Sequence, residues 1–210
     1  MNIEKELLQI QENVIDMAKQ VIHHHQKLMK AISEKSQEQA LMVIQEDEYI
    51  NRKEEEINDI AQRALALLTP VARDLRVILA SIKIAIELER IADYAKNIAR
   101  QFIKNHDIFI SIYDECMKIE EYILKMLLDS MEAYEHDYID LCFDIIQEDE
   151  MIHLLIQDCH IRFVDNHQYS RSDLFLFASI LRSLERSGDH VKNICEHILY
   201  MVKGQHYDFG

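Results

Sequence analysis

Four pairs of polar side chains in this sequence are spaced four residues apart: Asp47 with Asn51, Glu89 with Asp93, Asp149 with His153, and Glu185 with Asp189. Four residues on a helix is about 400° of rotation, so each pair would project from one side, a turn apart. Carboxylates brought that close repel one another unless a cation lies among them. Oxygen donors joined by one imidazole suit iron, manganese, zinc or magnesium. The chemistry offered is therefore cation binding. Arg90 and Arg186 supply the competing structural account, in which they or solvent settle the charge. A single ExxxD spacing says little, but two copies at equivalent places carry more weight.

The elements that must position these pairs read as long helices. Residues 69–100 form the central one. Thr69 is a suitable N-cap, and Pro70, the one proline of the chain, suits the first helical position. Val71, Leu75, Ile78, Leu79, Ile82 and Ile86 recur at helical steps and predict its buried face. Glu89 and Asp93 follow where that stripe breaks off. Residues 2–32 repeat Ile3, Leu7, Ile10, Val14, Met17, Val21, Leu28 and Ile32 in the same way. Residues 37–68 are charged over 45–56 and then close on Ile57, Ile60, Ala64, Leu65 and Leu68. Asn105, His106 and Asp107 make the best break. Residues 108–134 and 138–164 are again amphipathic. Ser170 or Ser172 predicts an N-cap for a last helix over 173–203, which Gly204 stops. Six helices with short joints predict antiparallel neighbours, and no segment alternates with the period of a strand.

Composition agrees. The 210 residues contain 3 Gly and 1 Pro, which leaves few turns, and 49% hydrophobic residues, which excludes a disordered chain. The net charge of −15 disfavours nucleic acid as a partner and suits cations or a basic protein surface. Cys116, Cys142, Cys159 and Cys195 show neither a CxxC pair nor zinc spacing, so buried, reduced thiols of a cytosolic protein are expected. No signal peptide and no membrane-spanning run is evident. His23, His24 and His25 point about 100° apart in a helix, cannot grip one ion together, and are expected to form a solvated patch.

The chain repeats itself. LERSGDHVKNI at 184–194 matches LERIADYAKNI at 88–98 with an offset of 96, and IQEDE at 146–150 matches 44–48 with an offset of 102. The simplest account is one three-helix unit used twice, at 1–105 and 106–210. If neighbouring helices lie side by side, each unit gathers four polar side chains. Gly188, mid-helix at a cost of about 1 kcal/mol against Ala, fits close packing or room for a cluster. Ala92 holds the same place in the first unit.

PVARDLR at 70–76, the LERIAD stretch with Asn97 and Ile98, the LERSGDH stretch with Asn193 and Ile194, and EHILY at 196–200 resemble the PhoU family over the whole chain. The resemblance implies an all-α fold of two tandem, pseudo-symmetric three-helix bundles. It implies no catalytic reaction. It carries ligand roles in multinuclear metal clusters, often iron, onto Asp47, Glu89 and Asp93 and onto Asp149, Glu185 and Asp189. Asn51 and His153 stand where a second Asp is usual. Because Asn is a weak ligand and His a good one, the second unit is expected to hold metal more firmly. Asp74 and Arg76 face different ways on a helix and are expected to meet neighbouring helices or form a regulatory surface. The family further implies a cytoplasmic protein, held at the inner face of the membrane through its partners. These would be the ATPase of a phosphate ABC transporter and a PhoR-type sensor histidine kinase, with the chain as a homodimer that restrains phosphate uptake and the starvation response. A different class of reading is a ferritin-like di-iron oxidase, for which Glu150 and His153 give one ExxH while 48–51 ends in Asn51. A third is a purely structural scaffold.

Overall fold

The computed structural model describes residues 2–166 and 168–209. Its elements are α1 (Ile3–Ser33), α2 (Gln37–Leu67), α3 (Ala72–Lys104), α4 (His106–Ile110), α5 (Tyr113–His136), α6 (Ile139–Asp165) and α7 (Arg171–Lys203). The fold is all-α. Helices α1, α2 and α3 pack as one bundle and α5, α6 and α7 as another, with α3 lying along α7 and α1 meeting α5. One helix more is present than periodicity predicts, because α4 is a single turn that carries Phe109 into the core beside Phe102.

Local signals set most of the ends. Asn2 and Ser36 accept bonds from Glu4 N and Gln39 N, so each caps its helix with a side-chain oxygen. Ser170 forms a full capping box with Asp173, which starts α7 at Arg171. Gly204, at φ 71°, ends it. The start of α3 differs from expectation. The helix begins at Ala72, Val71 is the cap residue with no side-chain bond, and Thr69 and Pro70 lie outside it.

The buried face of α3 also differs. Of the expected stripe only Ile78 is fully buried; Val71, Leu75 and Ile86 are exposed. The core face is Val77, Ile78, Ala80, Ser81, Ile84, Ala85, Leu88, Ile91, Ala92, Ala95, Ile98, Ala99 and Phe102. Three long helices pack around α3, so most of its circumference is covered. Alanines let those neighbours approach closely, and a pattern of large aliphatics does not register them. On α1 the expected stripe from Ile10 to Ile32 is the buried one.

The histidine run is not a solvated patch. His23 is exposed, whereas His24 and His25 are buried, because α1 is covered by α2, α3 and α5 together. The Nε2 of His25 lies 2.9 Å from the carbonyl oxygen of Ile91, so it carries a proton and donates. Its Nδ1 lies 2.5 Å from Glu120 Oε1, and one further proton is shared there. Burial opposes the imidazolium, but the Glu120 carboxylate wins and the pKa of His25 rises. Burial and the cations around His24 push its pKa down to about 3, so it stays neutral at ordinary pH. The four cysteines are buried and unpaired. Among the described residues no helix is long and apolar enough to cross a membrane. Replacing Glu120 by Ala leaves His25 buried without its counter-charge and is expected to cost about 3–5 kcal/mol. The urea midpoint measures this; an unchanged midpoint refutes the pairing.

Candidate metal centre

Side-by-side packing of α2 on α3, and of α6 on α7, brings the predicted pairs together. In the first bundle Asp47 projects from α2 toward α3 with only 3% of its surface exposed. Lys96, on α3, places its ammonium 2.5 Å from Asp47 Oδ2 and also pairs with Asp93. Burial works against the charge on Lys96, but its bonds to both carboxylates prevail and raise its pKa. Glu89 is half-buried; burial first, then the neighbouring Asp93 and Asp47, raise its pKa. Arg90 reaches Glu89 at 3.5 Å and Asp93 at 4.0 Å from the outer side. Asn51 brings a buried Oδ1 that has no hydrogen-bond partner among the described residues.

In the second bundle Asp149 occupies the matching place, also 3% exposed. His153 Nε2 lies 3.3 Å from Asp149 Oδ2, and its Nδ1 lies 3.2 Å from Glu185 Oε1, which ties α6 to α7. Lys192 Nζ is 3.5 Å from Asp149 Oδ2, and Arg186 is 3.3 Å from Asp189. Burial raises the pKa of Asp149; Lys192 and His153 beside it pull it back, and Asp189 adds to the rise. Asp149, His153 and Asp189 each offer a donor atom within 4.8 Å of the others. Among the described residues no other group of His, Cys, Asp and Glu converges so. Asp149 Oδ1 is buried and has no hydrogen-bond partner there. An orphaned carboxylate oxygen beside an imidazole and a second carboxylate fits a hard or borderline cation.

Gly188 explains itself at this point. A Cβ on it would lie 3.0 Å from both Asp149 Oδ1 and Ile152 Cδ1. The missing side chain is what lets Asp149 come in against α7. Arg76 turns out to be a brace between bundles: it donates to the carbonyl oxygen of Met201 at 3.2 Å and packs on Gly204. Asp74 lies in the first turn of α3, where a negative charge suits the helix N-terminus.

Three sets of contacts are not among those the sequence predicted. Lys96 and Lys192 stood in the repeated LERxxDxxKNI pattern, and their distance of three residues from the Asp was the available signal. Glu87, on α3, is gripped from α7 by His190 at 2.5 Å, Asn193 at 3.2 Å and His197 at 3.5 Å. Burial would raise its pKa, but bonds from those three residues hold it down at about 2. His25 and Glu120, 95 residues apart, left no signal in the sequence.

The PhoU domain matches residues 14–102 and 116–198, most of the chain. The chain belongs to the PhoU family. It is 27% identical to the phosphate-specific transport system accessory protein PhoU homolog of Clostridium acetobutylicum, over 99% of this chain and 97% of that one. It is 32% identical to the PhoU homolog of Pseudomonas putida, over 95% and 80%. The crystal structure of PhoU from Pseudomonas aeruginosa superposes with a TM-score of 0.86 at 27% identity, covering 97% of this chain and all of that one. A PhoU described as a phosphate transport system regulatory protein, from Streptococcus pneumoniae, shares the fold with a TM-score of 0.90. The curated relatives of this non-catalytic family are named as accessory proteins of phosphate-specific transport systems.

Two outcomes are expected. Gly→Ala inside a helix ordinarily gains about 1 kcal/mol, but Gly188→Ala is expected to leave the urea midpoint unchanged or lowered, because Asp149 and Ile152 must give way. A gain of that size refutes the close approach. For Glu87, folding lowers the pKa from 4.5 to about 2, so the native state binds its proton more weakly than the unfolded chain. That stabilisation, about 3 kcal/mol, is complete above pH 4.5 and is lost as the pH falls toward 2. Urea titrations of wild type and Glu87→Gln are therefore expected to differ at pH 7 and to converge near pH 2; a constant gap refutes the assignment.

Proposed function

We propose that this chain is a negative regulator of phosphate uptake and of the phosphate-starvation response. The observation that carries the reading is similarity along nearly the entire chain to relatives named as phosphate-specific transport accessory proteins. It would act in the cytoplasm as a homodimer, by contact with the ATPase of a phosphate ABC transporter and with a PhoR-type sensor histidine kinase. Partner contacts would draw it to the inner face of the membrane. Its units, 1–105 and 106–210, are read as products of a duplication. The −15 charge favours basic partner surfaces.

Asp149, His153 and Asp189 would hold a metal ion such as iron, manganese, zinc or magnesium, with Glu185 alongside. A bound cation would supply positive charge at an acidic face. The chain's own residues do the rest: His153 links α6 to α7, Arg186 restrains Asp189, and Gly188 admits Asp149. The geometry gives the ferritin-like alternative little support, since Glu150 of its single ExxH is exposed.

Deleting the gene is expected to raise alkaline phosphatase output at high phosphate. No rise there sinks the regulatory reading. Separately, Asp149→Ala with Asp189→Ala is expected to remove bound metal from the purified protein, as elemental analysis would show. Unchanged metal content refutes the assigned donors without touching the phosphate role.

A further inference from the structure

Lys96 neutralises the first cluster directly. Its ammonium pairs with Asp47 Oδ2 and with Asp93 Oδ1 at once, one carboxylate from each helix. A divalent ion bound by those two carboxylates would need their oxygens at about 2.0–2.6 Å, and so would lie between them, where the ammonium sits. Two cations cannot occupy that space together. The equivalent lysine of the second bundle, Lys192, stands 3.5 Å from Asp149 Oδ2. There Asp189 is met by Arg186 from the side, while His153 joins the donor set. In the first bundle the position of His153 is held by Asn51, which is neutral and a poor ligand.

The residues of the first cluster therefore do not fit a metal while Lys96 is in place. We propose that Lys96 is the resident cation of the first bundle, a side chain standing where an ion would otherwise sit, and that it confines metal binding to the second bundle. The charge of Asp47 and Asp93 is then neutralised whenever the chain is folded, independent of metal supply. The lysine leaves acceptors unused: Asp47 Oδ1 and Asn51 Oδ1 are buried with no hydrogen-bond partner among the described residues. With the ammonium removed, the two oxygens it now bridges, Asp47 Oδ2 and Asp93 Oδ1, become vacant hard donors. The contrast with the second bundle rests on the metal reading above, but the behaviour of the first bundle does not.

The test uses the full chain carrying Asp149→Ala and Asp189→Ala, stripped of metal and titrated with Mn(II), with bound ion read by EPR and elemental analysis. This protein is expected to bind none. Adding Lys96→Met is expected to create a site for about one equivalent, and Asp47→Asn to abolish it again. Lys96→Arg, which keeps the charge, is expected to create none. Lys96→Gln serves as a second neutral variant should Lys96→Met fail to show native helical circular dichroism. The proposal is overturned if the Asp149/Asp189 variant binds an ion that Asp47→Asn removes, because the first bundle then takes metal with Lys96 present. It is equally overturned if folded neutral variants gain no ion. Should the unsubstituted chain bind no Mn(II) at all, the reading of the second bundle fails, while the gain with Lys96→Met still decides this one.

Discussion

Glu87 on α3 lies in the grip of His190, Asn193 and His197 on α7, along the seam where the two bundles meet. The same seam is braced by Arg76 reaching Met201 and by Gln101 donating to Ser179 Oγ. Away from it the bundles touch where α1 meets α5, through His25 and Glu120. Tyr134 of α5 adds a buried hydroxyl that donates to Ser81 of α3, whose own hydroxyl donates to Val77 O. Each of these side chains that cross between bundles is thus engaged, through at least one atom, by a partner of complementary charge or hydrogen-bonding character. That is what permits long helices to pack face to face without leaving a charge stranded in the low-dielectric interior. The placement of the clusters follows, because α3 and α7 carry the seam on one face and the acidic residues on another.

The acidic clusters show the same constraint with two solutions. Asp47 and Asp149 are nearly inaccessible to water, so each must be protonated, paired or joined to a cation. The first bundle meets this with one ammonium shared by two carboxylates. The second spreads the compensation over His153, Lys192 and Arg186, and leaves three donors converging. The replacement of Asn51 by His153 and of Ala92 by Gly188 coincides with this difference. One lets an imidazole enter between helices; the other lets a carboxylate approach the backbone of α7. The recurring LERxxDxxKNI and IQEDE stretches thus lie in similar helices around sites of unlike electrostatics.

Much was legible in the chain before any fold was known. The scarcity of Gly and Pro, the helical periodicity, Ser170 and Gly204 fix the class and most helix ends, because they act within a turn or two of backbone. The polar pairs were legible for the same reason: a spacing of four residues has a fixed meaning on a helix. Where local signals were ambiguous, tertiary packing overrode them. Thr69 and Pro70 look like a helix start, yet α3 begins at Ala72; the large aliphatics of α3 pointed to one face, while small residues packed by three neighbours make the real one.

By itself the sequence determined that this protein is helical, acidic, marked by two recurring motifs, and equipped with carboxylates stacked in pairs. Those are properties of composition and short-range spacing. Only the tertiary structure decided which charges meet. It placed Lys96 between Asp47 and Asp93, buried His24 and His25 rather than leaving them in solvent, and set Glu87 against α7. Apart from the three-residue step from Asp93 to Lys96, such contacts join residues tens of positions apart. Their energies depend on burial and on the partner's position, and neither is encoded at any single site along the chain.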